Sequence, residues 1–361
     1  MTLDTDDLRA AVAAGMISEA QAASVLALAQ NRADHRSAIP RNEEPFELFK
    51  GFNEIFIVVG LSILYFGWLG VTGLQNLQIN RLADNSAFGF GLYALLGAFW
   101  VAIAARYFTL KRRMIAPSIA LTLMFAVSII QVGLSISWDL GLNFSQRATV
   151  TCALTTAALG VWYLIFRIPF SMALFGLGSF ATVGAVFVLQ GARVPRPEDL
   201  FLLSASGPFA WITIVMGLIG FAGAMAFDMS DPHRVSRRSA SGFWLHLIAA
   251  PAIVNTVALT LLEHDGAANQ ALLLGFLLLM ALVAVIIDRR SFLVAGVGYV
   301  VALSTIVLDQ GAAIAILLLG LCLVLLGAQW ETLRRRVMLA LPNFAGKNRL
   351  PPYDLLTRDQ S

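Results

Sequence analysis

Ten apolar stretches of 17–26 residues follow one another along the chain, and this succession constrains the fold more than any motif does. They run over residues 55–74, 86–108, 114–137, 148–166, 168–190, 202–227, 243–262, 270–287, 292–308 and 311–328. A helix rises about 1.5 Å per residue, so about 20 residues cross the roughly 30 Å of bilayer hydrocarbon. Lipid offers no hydrogen bonds to the backbone, and a helix satisfies its own. Composition points the same way, with 58% hydrophobic and 13% charged residues and a mean hydropathy of +0.77. A soluble domain cannot bury that much apolar surface. The reading is an all-α polytopic transmembrane helical bundle of about ten spans. A soluble enzyme, a nucleic-acid-binding domain, a disordered chain and a disulfide scaffold are excluded.

The basic residues set the threading. With the N-terminus placed inside and successive loops assigned to alternate sides, 21 of the 25 Lys and Arg fall on the inner side. Only Arg81, Arg147, Arg193 and Arg196 fall outside. Such asymmetry is the positive-inside pattern. Removing one span would place Arg334, Arg335 and Arg336 outside, so the expectation is ten spans in the inner (plasma) membrane with both termini cytoplasmic. The net charge of +3 and pI near 9.1 then reflect topology and attraction to anionic lipid, with no nucleic-acid partner. No secretory signal opens the chain, and the run from Ile55 is expected to serve as an uncleaved insertion signal. Pro117, Pro169, Pro208 and Pro251 are read as lying early in their segments, where proline is tolerated.

Four parts are expected along the chain: a cytoplasmic helical hairpin (1–36), a linker and interfacial lead-in (37–54), the ten-span domain (55–328) and a cytoplasmic tail (329–361). In the first part a short helix from Asp6 stops at Gly15. Ser18 then caps a second helix, with Gln21 in capping-box spacing. Val12, Ile17, Ala22, Val25, Leu26 and Ala29 supply an apolar seam. The stretch Ala13-Ala14-Gly15-Met16-Ile17-Ser18-Glu19-Ala20-Gln21-Ala22, ahead of a many-span block, resembles the head of a bacterial predicted membrane-protein family without an established function. That resemblance implies a short cytoplasmic hairpin before the bundle and carries over no catalytic or binding residue. Ten spans also resemble in number the five-plus-five carriers of drugs and metabolites, although the loop lengths of the two halves do not match.

Catalytic machinery is not expected. His35, His233, His246 and His264 lack metal-ligand spacing, no phosphate-binding Gly-rich loop occurs, and no cofactor is implied. Cys152 and Cys322 lie inside apolar runs and read as packing residues. Ser239-Ala240-Ser241-Gly242 lacks the first Gly of the Gly-x-Ser-Gly motif of intramembrane serine proteases. Ser241 is placed in a loop and His246 at the interface. Glu54, Asp139, Asp228, His246, Glu263, Asp288 and Asp309 are all read at segment ends, which argues against a proton-coupled path.

Neutral polar residues do occur at depth. Ser128, Gln131 and Ser135 share a helical face that ends at Asp139. Thr156 lies on a stripe with Cys152 and Tyr163, and Asn255 and Glu263 share a face beside Thr256. These residues form either a polar cleft open to the outside or a set of helix-to-helix hydrogen bonds. Gly217, Gly220 and Gly223, and Gly60 with Gly67, read as packing sites. Two functions follow. One is a non-enzymatic scaffold or regulatory component that docks a protein partner through residues 1–36. The other is a carrier for a small neutral or amphipathic solute moving past Gln131 and Asn255.

Overall fold

A computed structural model describes residues 11–12, 14–16, 21, 52–79, 88–308 (206, 233, 235 and 265 excepted), 312–351 (345 excepted) and 353. Most of the hairpin and linker lies outside the described residues. Within it, Gly15 takes a positive φ of 70°. The Met16 and Gly15 amides donate to Ala11 O and Val12 O at 2.9 and 3.0 Å, a Schellman stop at the position the sequence predicts. The chain divides by its contacts at residue 46, and everything below concerns the unit 47–361.

Among the described residues that unit is built of helices, with no strand. The helices are α1 (Phe52–Ile79), α2 (Phe88–Ala105), α3 (Ala116–Asp139), α4 (Phe144–Phe166), α5 (Phe170–Leu189), α6 (Phe209–Met229), α7 (Arg237–Glu263), α8 (Ala267–Ile287), α9 (Ser291–Leu308), α10 (Ala312–Ala328) and α11 (Trp330–Ala340). Eight of them, α1 to α8, are long and apolar enough to cross a membrane. α9 and α10 are apolar too but run for only 18 and 17 residues. The perimeter is apolar: Phe56 and Leu64 on α1 are 73% and 72% exposed, and Leu317 on α10 is 72% exposed. Apolar surface on that scale suits contact with lipid, and the eight long apolar helices fit an integral membrane protein.

Two helices organise the packing. α3 is central to the first part and contacts α1, α2, α4 and α5, whereas α7 contacts α5, α6, α8 and α9. Around α3 the core gathers Tyr65, Leu121, Met124, Trp162 and Phe166. Trp162 stacks on Phe125 at 4.2 Å and donates to Thr122 Oγ1 at 3.1 Å. Around α7 it gathers Val254, Leu273, Leu277, Ile287, Phe292 and Trp330. α6 and α7 pack closely at Gly217, where a Cβ would stand 3.0 Å from Ala252 and Ile253. Gly60 and Gly67 differ from the packing sites expected of them, since a Cβ there would meet nothing within 4 Å among the described residues.

Local chemistry sets the helix ends. Asn143 and Gln146 form a capping box at the start of α4, with both bonds at 3.0 Å. Glu54, buried in the first turn of α1, accepts from the Ala116 amide at 3.1 Å and caps α3 from outside the helix. Short loops make consecutive helices antiparallel. The ends of α2, α4, α6 and α8 therefore share one face of the bundle with the starts of α3, α5, α7 and α9, and this face carries most of the arginines.

Two boundaries depart furthest from the sequence reading. The sixth segment begins at Phe209 instead of 202, because Glu198–Leu200 form a 3₁₀ turn and the chain stays irregular through Pro208. The seventh begins at Arg237 instead of 243, since Ser236 caps it by accepting from the Arg238 amide. Ser241 is consequently helical, and Pro251 sits in mid-helix.

Candidate functional site

The earlier start of α7 carries His246 nine residues into the helix, about 13 Å from its end. There it is fully buried instead of interfacial. Asp228, in the last turn of α6, faces it across the α6–α7 contact. The carboxylate only accepts, so His246 Nε2 is the donor to Asp228 Oδ2, at 3.0 Å. The imidazole edge packs on Phe221 and Phe292, and Nδ1 has no hydrogen-bond partner among the described residues.

Arg289 completes the group from the turn between α8 and α9. It is fully buried and donates through Nε to Asp228 Oδ2 at 3.0 Å and through Nη2 to Oδ1 at 2.6 Å. Nη2 also donates to Ser239 O at 2.9 Å and lies 3.2 Å from Ser239 Oγ. This two-pronged pairing fixes the carboxylate in plane with the guanidinium, while the Phe243 ring lies 5.9 Å from the guanidinium carbon. Space for the pair depends on Gly242: a Cβ there would stand 2.5 Å from Asp228 Oδ1 and 3.1 Å from Ala224 O.

A second carboxylate extends the network. Asp288 ends α8 in the left-handed conformation (φ 57°), which turns the chain so that Arg289 points inward. Its Oδ1 accepts from Trp330 Nε1 at 2.6 Å, and its Oδ2 pairs with Arg234 Nη1 at 3.1 Å. Arg234 also donates to the Asp288 carbonyl at 2.6 Å. Arg334 lies 3.9 Å from Asp288 Oδ1 and donates to Pro351 O at 2.5 Å. Burial lowers the Arg334 guanidinium from its usual pKa, and Asp288 offsets part of this. Two buried carboxylates thus face three buried guanidiniums and one imidazole, and they tie α6, α7, α8, α11 and the C-terminal segment together.

The residues singled out at depth go to separate interfaces. Ser128 bonds Tyr65 of α1 at 2.8 Å, and Thr156 bonds Thr182 of α5 at 3.1 Å. Asn255 accepts from Tyr299 of α9 at 3.1 Å. Ser135 fits against α2 where Gly91 leaves room. Thr256 donates to Ala252 O at 2.7 Å, and Glu263 accepts from Ser204 in the loop before α6. Gln131 is half-buried and makes no side-chain hydrogen bond among the described residues.

Sequence reasoning treated Asp228, His246 and Arg289 as end markers, and the buried cluster they form was missed. Its signal was an acid, a histidine and an arginine at the same end of three consecutive segments. Among the described residues no three His, Cys, Asp or Glu side chains gather to hold a metal. Comparison with protein-family models, with characterised proteins and with solved structures gives no significant match.

Proposed function

We propose that this chain is a non-enzymatic scaffold or regulatory component of the inner (plasma) membrane, threaded ten times with both termini cytoplasmic. α9 and α10 complete the ten spans in this reading, which keeps Arg334–Arg336 on the same side as Arg289 and Arg290. The observation that carries it is the buried network of Asp228, His246, Arg289, Asp288, Arg234 and Arg334. It braces the arginine-rich face as a fixed platform. A moving carrier needs helices that part, whereas here polar side chains at depth bond one helix to the next. The cytoplasmic segment 1–36 is the part that docks a protein partner.

Co-purification in mild detergent tests this, comparing the full chain with a form lacking residues 1–36. The expected result is a protein partner retained by the full chain, lost with the truncation, and bound again when purified separately and added back. Identical behaviour of the two forms overturns the docking role.

The carrier reading keeps one supporting observation, the half-buried Gln131, whose side chain makes no hydrogen bond among the described residues. Solute uptake into proteoliposomes that disappears in Gln131→Leu would favour it over the scaffold.

A further inference from the structure

α11 presents two faces of opposite use. Trp330, Arg334 and Met338, spaced by four, are buried, and the first two are held at Asp288. These contacts fix the helix at the residue that ends α8, a helix long and apolar enough to span a membrane. On the outer side Arg335 and Arg336 are exposed. Leu339 on the helix and Phe344 in the turn after it are exposed as well, at 59% and 43%. The same end of the protein adds exposed Arg290, over the Trp330 ring at 5.3 Å, and exposed Arg349. The acidic residue of the helix, Glu331, stands in its first turn, one turn before Arg335 and two before Leu339, so the cations of this end outnumber it.

Cations alone would suit water or an acidic protein, and apolar residues alone would suit the hydrocarbon. Both kinds together, at the level where a spanning helix ends, match the zone where headgroup phosphates meet the first methylenes of the acyl chains. Charge complementarity selects an anionic headgroup over a zwitterionic one. We propose that the outer face of α11 and the turn after it form a binding surface for anionic phospholipid, with phosphates at Arg335, Arg336 and Arg349 and acyl chains against Leu339 and Phe344.

The test uses the full chain in nanodiscs containing equal phosphatidylcholine and phosphatidylglycerol. Co-purifying lipid is then counted by native mass spectrometry. The wild type is expected to retain phosphatidylglycerol in preference. The double variant Arg335→Gln/Arg336→Gln should lower that preference roughly thirtyfold, from about 1 kcal/mol for each of the two cations near an anionic surface. Arg349→Gln should lower it in smaller degree, and Leu339→Ser/Phe344→Ser should lower retention of both lipids. Arg147→Gln at the other end of the bundle should change nothing. The replaced α11 side chains are exposed, so thermal unfolding should match the wild type. Equal retention of the two lipids by the wild type overturns the proposal. An unchanged preference in the double variant overturns it too, as does an acidic protein held at this face without any lipid preference.

Discussion

Replacing Arg289 by Met tests whether the buried network carries the stability its geometry implies. Arg289 is 0% and Asp228 4% exposed, so neither charge can recover by turning into water. The substitution removes both guanidinium bonds to Asp228 and the bond to Ser239 O, and leaves the carboxylate with His246 alone. Stranding one member of a buried ion pair costs about 3–5 kcal/mol. Asp228→Leu strands the guanidinium and should cost a similar amount. Combining the two removes both charges. The double variant then pays chiefly for the orphaned His246 Nε2, about 1–3 kcal/mol, and should be more stable than either single. The assay is unfolding of the full chain from mild detergent by added SDS, read as a double-mutant cycle with coupling of at least about 3 kcal/mol. Single losses below about 1 kcal/mol, or additive ones, would refute the reasoning.

Gly242→Ala should destabilise by more than the usual glycine-to-alanine change, because its Cβ would lie 2.5 Å from Asp228 Oδ1. Gly220→Ala, 3.6 Å from the Ala249 Cβ, should be tolerated, and thermal unfolding of the two variants side by side checks the contrast. Trp330→Phe keeps the buried ring but loses the 2.6 Å bond to Asp288. It should free α11, so that trypsin cuts at Arg335 or Arg336 faster than in the wild type while the bundle survives; unchanged cleavage would mean the bond does not hold the helix. The threading is checked by impermeant thiol labelling in intact cells. Arg193→Cys should react and Arg336→Cys only after the membrane is opened, and the reverse pattern would invert the topology.

The fold was largely legible because spans obey one dimension. Each of the ten predicted segments overlaps one of α1 to α10, eight of which are long and apolar enough to cross a membrane, and where the boundaries slipped furthest the cause was local. Residues 202–208 are apolar enough to extend a hydropathy run, yet Pro197 and Pro208 bracket a stretch that does not start a helix until Phe209. Residues 237–242 are polar enough to look like a loop, yet the Ser236 cap and the burial of Ser239 and Ser241 continue α7 downward. Hydropathy reports the depth of a residue and says little about whether its backbone is helical.

That six-residue error hid the site. With α7 beginning at 243, His246 falls at the water boundary and Asp228 and Arg289 become ordinary flanking charges. With α7 beginning at Arg237, His246 lies nine residues into the helix and Asp228 and Arg289 are buried beside it, where a charge persists only if it is paired. Pairing across Asp228, His246 and Arg289 depends on how three helix ends meet, and on Gly242 leaving room for the carboxylate. None of that is periodic, so no spacing in the sequence announces it. The arginines at this end therefore do two kinds of work. Arg335 and Arg336 stay exposed, whereas Arg289, Arg234 and Arg334 turn inward and are spent on holding the helix ends together. The inward group is buried against Asp228 and Asp288 and the outward pair stays at the surface, which is why the bundle can be braced and still present a basic surface.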